Sequence, residues 1–233
     1  FDNKLVRKAI AYAIDRKAII ETIYSGQADL AKSLLPKSSW AYTDKTPEQI
    51  HSIETAKILL SEAGFPNGFE MNIWAMPVQR AYNPNALTMA KLIQADLKKV
   101  GIKVNIEGGY EWEVFLNLVR QGKHQSVLLG WSADHPDPDN FLTPILSCDS
   151  AGKGSNNTRW CNEQYDALLQ QALQTNNINQ RKIYYEKALS IIAEEVPLLP
   201  IAHSKRFQAR NKKVKGKLLN AFGGIDFRQV SKN

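Results

Sequence analysis

The amino-acid sequence predicts an α/β fold in which a largely parallel sheet is flanked by helices. Three observations predict it. Segments 71–76 (Met71-Asn72-Ile73-Trp74-Ala75-Met76) and 102–106 (Ile102-Lys103-Val104-Asn105-Ile106) alternate apolar and polar residues, and 127–131 opens on a continuous apolar run, Val127-Leu128-Leu129. Stretches with helical spacing stand between them, ending at Gly101 and near Gly122, where helices commonly stop. The resulting order, strand–helix–strand–helix–strand, implies parallel strands joined by crossovers in a layered domain.

Taken in order, Leu5, Ala9, Ile10, Ala13 and Ile14 share one face of a first helix with Asp2 placed to cap it. Asp15 caps a second helix, with Ala18, Ile19, Ile23 and Tyr24 inward and Gly26 ending it. Residues 28–50 read as irregular. Ser52-Ile53-Glu54-Thr55 opens a helix through Leu59, Leu60 and Ala63 to Gly64. After the 71–76 strand comes the loop Pro77–Pro84, then a long helix bearing Met89, Leu92, Ile93, Leu97 and Val100. Trp112, Phe115, Leu116 and Val119 mark the helix after the second strand. Beyond the third strand, helices are expected at 162–174 and 179–195. An edge strand is expected at 197–203, consistent with Pro197 and Pro200, and a tail with turns at Gly216 and Gly223-Gly224.

The 233 residues are 43% hydrophobic and 23% charged, a globular composition with material for a sizeable core. No apolar run is long enough to cross a membrane as a helix. The chain opens at Phe1 directly on an amphipathic helix, and we expect it to be a piece of a longer protein whose N-terminal part is absent. The net charge of +7 is weighted toward Lys205, Arg206, Arg210, Lys212, Lys213, Lys215 and Lys217. Nucleic acid or an anionic surface is one reading of this tail. Its alternation with apolar residues reads instead as the solvated side of strands and a turn, so nucleic acid is not the expected partner.

Cys148 and Cys161 flank a polar loop without a CxxC arrangement or a histidine cluster, which leaves no zinc site. They are either a disulfide or two buried thiols. A bridge would contribute about 3 kcal/mol in the chain-entropy model and would point to an oxidising compartment such as a periplasm. Asn156-Asn157-Thr158 matches a glycosylation sequon, a common chance match.

The most informative stretch runs from Gly130 to Phe141: Trp131-Ser132-Ala133-Asp134-His135-Pro136-Asp137-Pro138-Asp139-Asn140. Proline stiffens it and pushes His135 and Asp137 toward extended backbone. It is either a rigid turn, with Asp139 and Asn140 capping a short helix, or a loop presenting ligand-binding groups. A calcium loop is excluded by the missing sharp-turn Gly and closing Glu. Both this loop and 77–84 follow parallel strands and so stand at the carboxyl edge of the sheet, where open α/β folds collect ligands. Arg80 and Asp134 are therefore candidate contacts for the two ends of a ligand, since Arg grips a carboxylate bidentately. Against this stand a surface role for Arg80 and simple core packing for Trp131.

Catalysis finds little support: Asp134, Asp137 and Asp139 stand close enough to suggest paired carboxylates, but no general base or metal cluster accompanies them. There is no GxSxG, HExxH, P-loop or GxGxxG, and His51, His124, His135 and His203 are scattered. No resident cofactor or metal is expected. His135 is the one histidine placed to meet a haem iron at the cleft, although no CxxCH is present.

Several segments in order resemble the extracytoplasmic solute-binding proteins of the dipeptide/oligopeptide ABC-transporter family, over essentially the whole chain as the family's C-terminal half. They are Val6–Arg16 (VRKAIAYAIDR), Trp74–Arg80 with Tyr82-Asn83-Pro84-Asn85, Gly130–Asp134, Asp137–Phe141, the Cys148/Cys161 pair and Ile201–Ser204. Ile23–Gly26, Leu34–Tyr42 and Phe222–Ser231 are similar to its Sap-type, antimicrobial-peptide-resistance branch. The resemblance implies one lobe of a type II (two-lobed) periplasmic binding protein, with 1–200 as the ligand-binding lobe and 201–233 returning toward the missing first lobe. It implies a monomeric periplasmic protein that binds a peptide or other amphipathic molecule and delivers it to a membrane permease, with haem as an alternative ligand. Asp134 matches the position that holds the peptide ammonium, and Arg80 the position that holds the carboxylate. Trp131 lies beside them, and Asp137 and Asp139 become loop and cap residues. An extra residue around Gly108-Gly109, and His135-Pro136 in place of an Asn-Gly-like pair, depart from the dipeptide pattern at the point where specificity is set.

Overall fold

A computed structural model describes residues 1–216, 226–228 and 230–232, which leaves Lys217 and the expected turn at Gly223-Gly224 outside the described residues. Helix α1 spans Lys4–Ala13, and its cap is Asn3 rather than Asp2: the Asn3 side chain accepts from Leu5 N. Helix α2 (Arg16–Tyr24) is capped by Asp15, which accepts from Ala18 N, and ends on left-handed Ser25 and Gly26. Strand β1 (Ala28–Leu30) lies within the stretch expected to be irregular. Helix α3 (Ile53–Glu62) starts at Ser52, which accepts from Thr55 N.

The α/β core follows as expected. Strand β2 (Glu70–Trp74), helix α4 (Ala86–Lys98), strand β3 (Lys103–Glu107), helix α5 (Trp112–Arg120) and strand β4 (Ser126–Val127) build a parallel sheet of order β3-β2-β4. Met71 pairs with Val104 and Ile73 with Ile106, which puts Met71, Ile73 and Val104 into the core against Ile93, Leu97, Phe115 and Val119. Strand β4 is shorter than the expected 127–131. Leu128 N still reaches Trp74 O, but β2 ends at Trp74 and turns into the 77–84 loop, so residues 129–131 find no partner on that side.

Helices α6 (Asp139–Leu146), α7 (Glu163–Leu173) and α8 (Ile178–Glu195) form a second apolar cluster around Leu142, Leu146, Tyr165, Leu169, Tyr185 and Leu189. The wholly buried Tyr165 hydroxyl donates to Leu142 O at 2.9 Å, which satisfies it inside the core. Strand β5 (Ala202–Ser204) pairs antiparallel with β1. The expected strand at 197–203 thus forms only at its end, because Pro197 and Pro200 lack the N–H a ladder needs. Strands β6 (Val214–Lys215) and β7 (Ser231–Lys232) make a small antiparallel pair in the basic tail.

The two clusters are tied together where α1 meets the end of α8. Arg7 donates to Glu195 O at 2.7 Å, and Lys4 and Lys8 pair with Glu194 at 3.1 and 2.9 Å. Cys148 and Cys161 are joined as a disulfide. Inside the loop it closes, Asn156 is buried and donates to Ser147 O and Trp160 O at 2.9 and 2.8 Å. The sequon asparagine is therefore an internal brace of the loop rather than a surface acceptor. No helix among the described residues is long and apolar enough to cross a membrane.

Candidate ligand-binding site

The loops after β2 and β4 leave the same edge of the sheet and touch. The Tyr82 ring lies so close over Gly130 that a Cβ there would overlap it, which requires glycine at that approach. The Tyr24 hydroxyl donates to Tyr82 O at 2.7 Å and anchors the first loop, and burial pushes this phenol up to about 12, so it stays a neutral donor. Within the loop, Arg80 and Asn83 exchange backbone hydrogen bonds of 3.0 Å each, and buried Asn83 accepts from Asn85 N. This turn projects Arg80, whose guanidinium rests 4.5 Å over the Trp112 ring. Trp112 in turn stacks on buried Phe115 with ring centroids 5.7 Å apart. Arg80 is exposed and forms no ion pair with a carboxylate among the described residues.

The three carboxylates of the acidic loop have three different surroundings. Asp137 is engaged by Arg181 through Nη1 at 2.8 Å and Nη2 at 2.9 Å, by the Tyr185 hydroxyl at 3.2 Å, and by Asp139 N at 3.0 Å. Burial acts to raise its carboxyl, and the Arg181 bonds overcome this to hold it below the usual carboxylate range. Arg181 is itself fixed by Ala172 O at 2.8 Å and by the Trp40 ring, 5.2 Å away. Asp139 lies inside α6 and accepts from the Thr143 hydroxyl. Neither Asp139 nor Asn140 is the cap of α6; the Asp137 side chain meets its first N–H. Asp134 differs from both. It is exposed, only its backbone N–H is engaged (by Asn140 Oδ1 at 3.0 Å), and its carboxylate has no side-chain partner among the described residues.

Trp131 is half-buried, with Nε1 3.4 Å from Asn140 Oδ1. His135 is exposed, with Nε2 3.1 Å from Asn140 Nδ2 and Nδ1 3.4 Å from Asp137 N. The loops thus carry Arg80 and Asp134 as opposite charges, neither in an ion pair among the described residues, with Arg80 resting on Trp112 and Trp131 beside Asp134. Sequence reasoning missed Arg181, Asn140 and Trp112 as supports. Arg181 stands 44 residues from Asp137, and no local pattern links them.

An apolar cavity of about 920 Å³ lies behind this edge, between the two clusters, walled by Tyr82, Trp112, Trp131, Phe141, Trp160 and Leu198 among others. Arg80, Asp134 and His135 are not in its wall, although Tyr82, Asn83, Gly130 and Trp131 of the same loops are. Two histidines also border it. His124 bonds Asn157 O through Nε2 at 3.0 Å, and its Nδ1 is buried without a partner. Burial, and then the Arg159 charge, lower the His124 imidazole below its ordinary 6.5 against the pull of the Asn157 carbonyl. Burial lowers His203 as well. The unfolded chain therefore takes up protons near 6.5 that the folded chain refuses. These two groups contribute stability that is full above about 6.5 and declines as pH falls toward their folded values. The melting temperature of the full-length protein is expected to fall between pH 7.5 and 5.5, and less so in His124→Gln. A melting temperature that holds or rises across that window would contradict this.

Among the described residues no group of His, Cys, Asp and Glu is arranged to hold a metal ion. A scan of family models matches residues 1–153 to bacterial extracellular solute-binding proteins, family 5 Middle. The chain is 42% identical over 230 residues to the dipeptide-binding protein of Escherichia coli, covering 99% of this chain and 43% of that protein. It is 43% identical to heme-binding protein A of Haemophilus influenzae (99% and 42% covered) and 35% identical to the peptide transport periplasmic protein SapA of Salmonella typhimurium (99% and 42%). Among solved structures, the dipeptide-binding protein of Pseudoalteromonas sp. SM9913 in complex with Met-Leu superposes with a TM-score of 0.91 at 48% identity, covering all of this chain and 46% of that one. The chain thus spans less than half the length of these relatives.

Proposed function

Because the chain belongs to the bacterial extracellular solute-binding proteins of family 5, we propose that it is one lobe of a two-lobed periplasmic receptor that captures peptides and hands them to the membrane permease of an ABC importer. In this reading residues 1–200 form the ligand-binding lobe, and the chain beyond it returns toward the other lobe. Binding, not turnover, is the function. The observation that carries the reading is the pair of opposite charges, Asp134 and Arg80, that form no ion pair among the described residues and stand on contacting loops at the carboxyl edge of a parallel sheet. Asp134 takes the peptide ammonium, Arg80 the carboxylate, Trp131 walls the space between, and His135 borders it.

Calorimetry on the full-length protein with a free dipeptide, its N-acetyl form and its C-amide tests this. Each blocked form is expected to bind at least about tenfold more weakly, since each leaves one protein charge facing a neutral group. Equal affinities for all three would overturn the reading. The relative described as a heme-binding protein supports haem as a second reading. A Soret shift abolished by His135→Ala would favour it, although His135 Nε2 is already engaged by Asn140.

A further inference from the structure

Asn140 lies in the first turn of α6 with its amide turned back into the loop that precedes it. Its Oδ1 faces two donors, Trp131 Nε1 at 3.4 Å and Asp134 N at 3.0 Å, and its Nδ2 faces His135 Nε2 at 3.1 Å. These contacts fix the orientation of the amide. Reversed, an NH₂ group would meet two N–H donors, and both bonds would be lost. Nδ2 is therefore the donor to His135, and Nε2 must accept. A neutral imidazole carries one proton and cannot accept both from Asn140 at Nε2 and from Asp137 N at Nδ1 (3.4 Å); we take the shorter Asn140 contact to set the tautomer.

We propose that Asn140 is the positioning residue of the ligand loop, and that its hold requires a neutral His135. One side chain sets the indole that walls the site, the backbone of the residue bearing the free carboxylate, and the imidazole next to it. A protonated His135 puts N–H against N–H at Asn140 and turns the amide away from Trp131 and Asp134. The charged and titratable groups around the imidazole are Asp134 and Asp137 on its own loop and Asp139 on α6, with Arg181 and Tyr185 of α8 reaching the loop through Asp137. The proposal rests on the reading that Asp134 holds a ligand ammonium.

The test follows the Trp131 indole N–H and Asp134 amide resonances of the full-length protein from pH 8 to 5, together with dipeptide affinity by calorimetry. The two resonances are expected to shift together as pH falls, and affinity to drop about tenfold over the same range, equivalent to about 1.4 kcal/mol. Asn140→Asp is the deciding variant. Its carboxylate accepts from Trp131, from Asp134 and from a protonated His135, so both trends reverse and the loop tightens as pH falls. His135→Gln, which does not titrate, removes the pH dependence whatever its absolute affinity. Identical pH profiles for the wild-type protein and Asn140→Asp would overturn the proposal. If no dipeptide binds at any pH, the functional reading fails, while the resonances still decide whether Asn140 holds the loop.

Discussion

Asp134→Ala in the full-length protein is expected to weaken binding of a zwitterionic dipeptide by about 2–5 kcal/mol, the range for removing one partner of a desolvated, hydrogen-bonded charge pair. The expectation rests on how the acidic loop distributes its charges. Asp137 is committed to Arg181 and Tyr185, and Asp139 to Thr143, so neither can turn to a ligand without dismantling the loop. Of the three, Asp134 alone has a carboxylate without a side-chain partner among the described residues, while its backbone is held. Asp134→Asn keeps the shape and removes the charge, and should lose most of the same affinity for peptides with a free ammonium and little for N-acetyl peptides. Calorimetry that finds Asp134→Ala within a factor of three of the wild-type protein would exclude the contact.

Phe115→Ala should cost about 3–5 kcal/mol of stability, the usual cost of emptying a buried aromatic site. Phe115 is wholly buried, lies 6.1 Å from the Trp74 ring on the central strand, and stacks against Trp112. Its loss therefore reaches the edge of the site: Trp112 loses the ring behind it, and Arg80 loses the platform under its guanidinium. Unfolding by denaturant should show the midpoint shift, and the variant should lose affinity for peptides with a free carboxylate more than for their amides. A stability change below about 1 kcal/mol would mean that the α5 face collapses to fill the space.

What was legible in the sequence was local. The Asp15 and Ser52 caps, the apolar alternation at 71–76 and 102–106, and the glycine stops each act within one turn or one strand, so the residues that encode them are adjacent. The shared edge of the 77–84 and 131–140 loops followed from the strand order alone. What was not legible depends on partners far along the chain. Residues 128–131 look like a strand, but pairing needs β2 alongside, and β2 ends at Trp74. The 197–203 segment shortens because two prolines remove donors and β1, which reads as irregular, supplies the partner. Asp139 and Asn140 look like caps because their residue types favour that position, yet Pro138 stands at the cap and the Asp137 side chain before it meets the first helical N–H. The family resemblance singled out Asp134 among three carboxylates, and only the side-chain contacts give a physical reason, through Arg181.

The attachment of the two charged loops to different packed clusters has a mechanical consequence. Arg80 is held through Trp112 and Phe115 by the sheet cluster, whereas the Asp134 loop is riveted through Asp137 and Arg181 to α8 in the helical cluster. A peptide gripped at both ends would span the seam between these bodies, and the spacing of the seam, rather than the width of any pocket, would act as a gauge of its length.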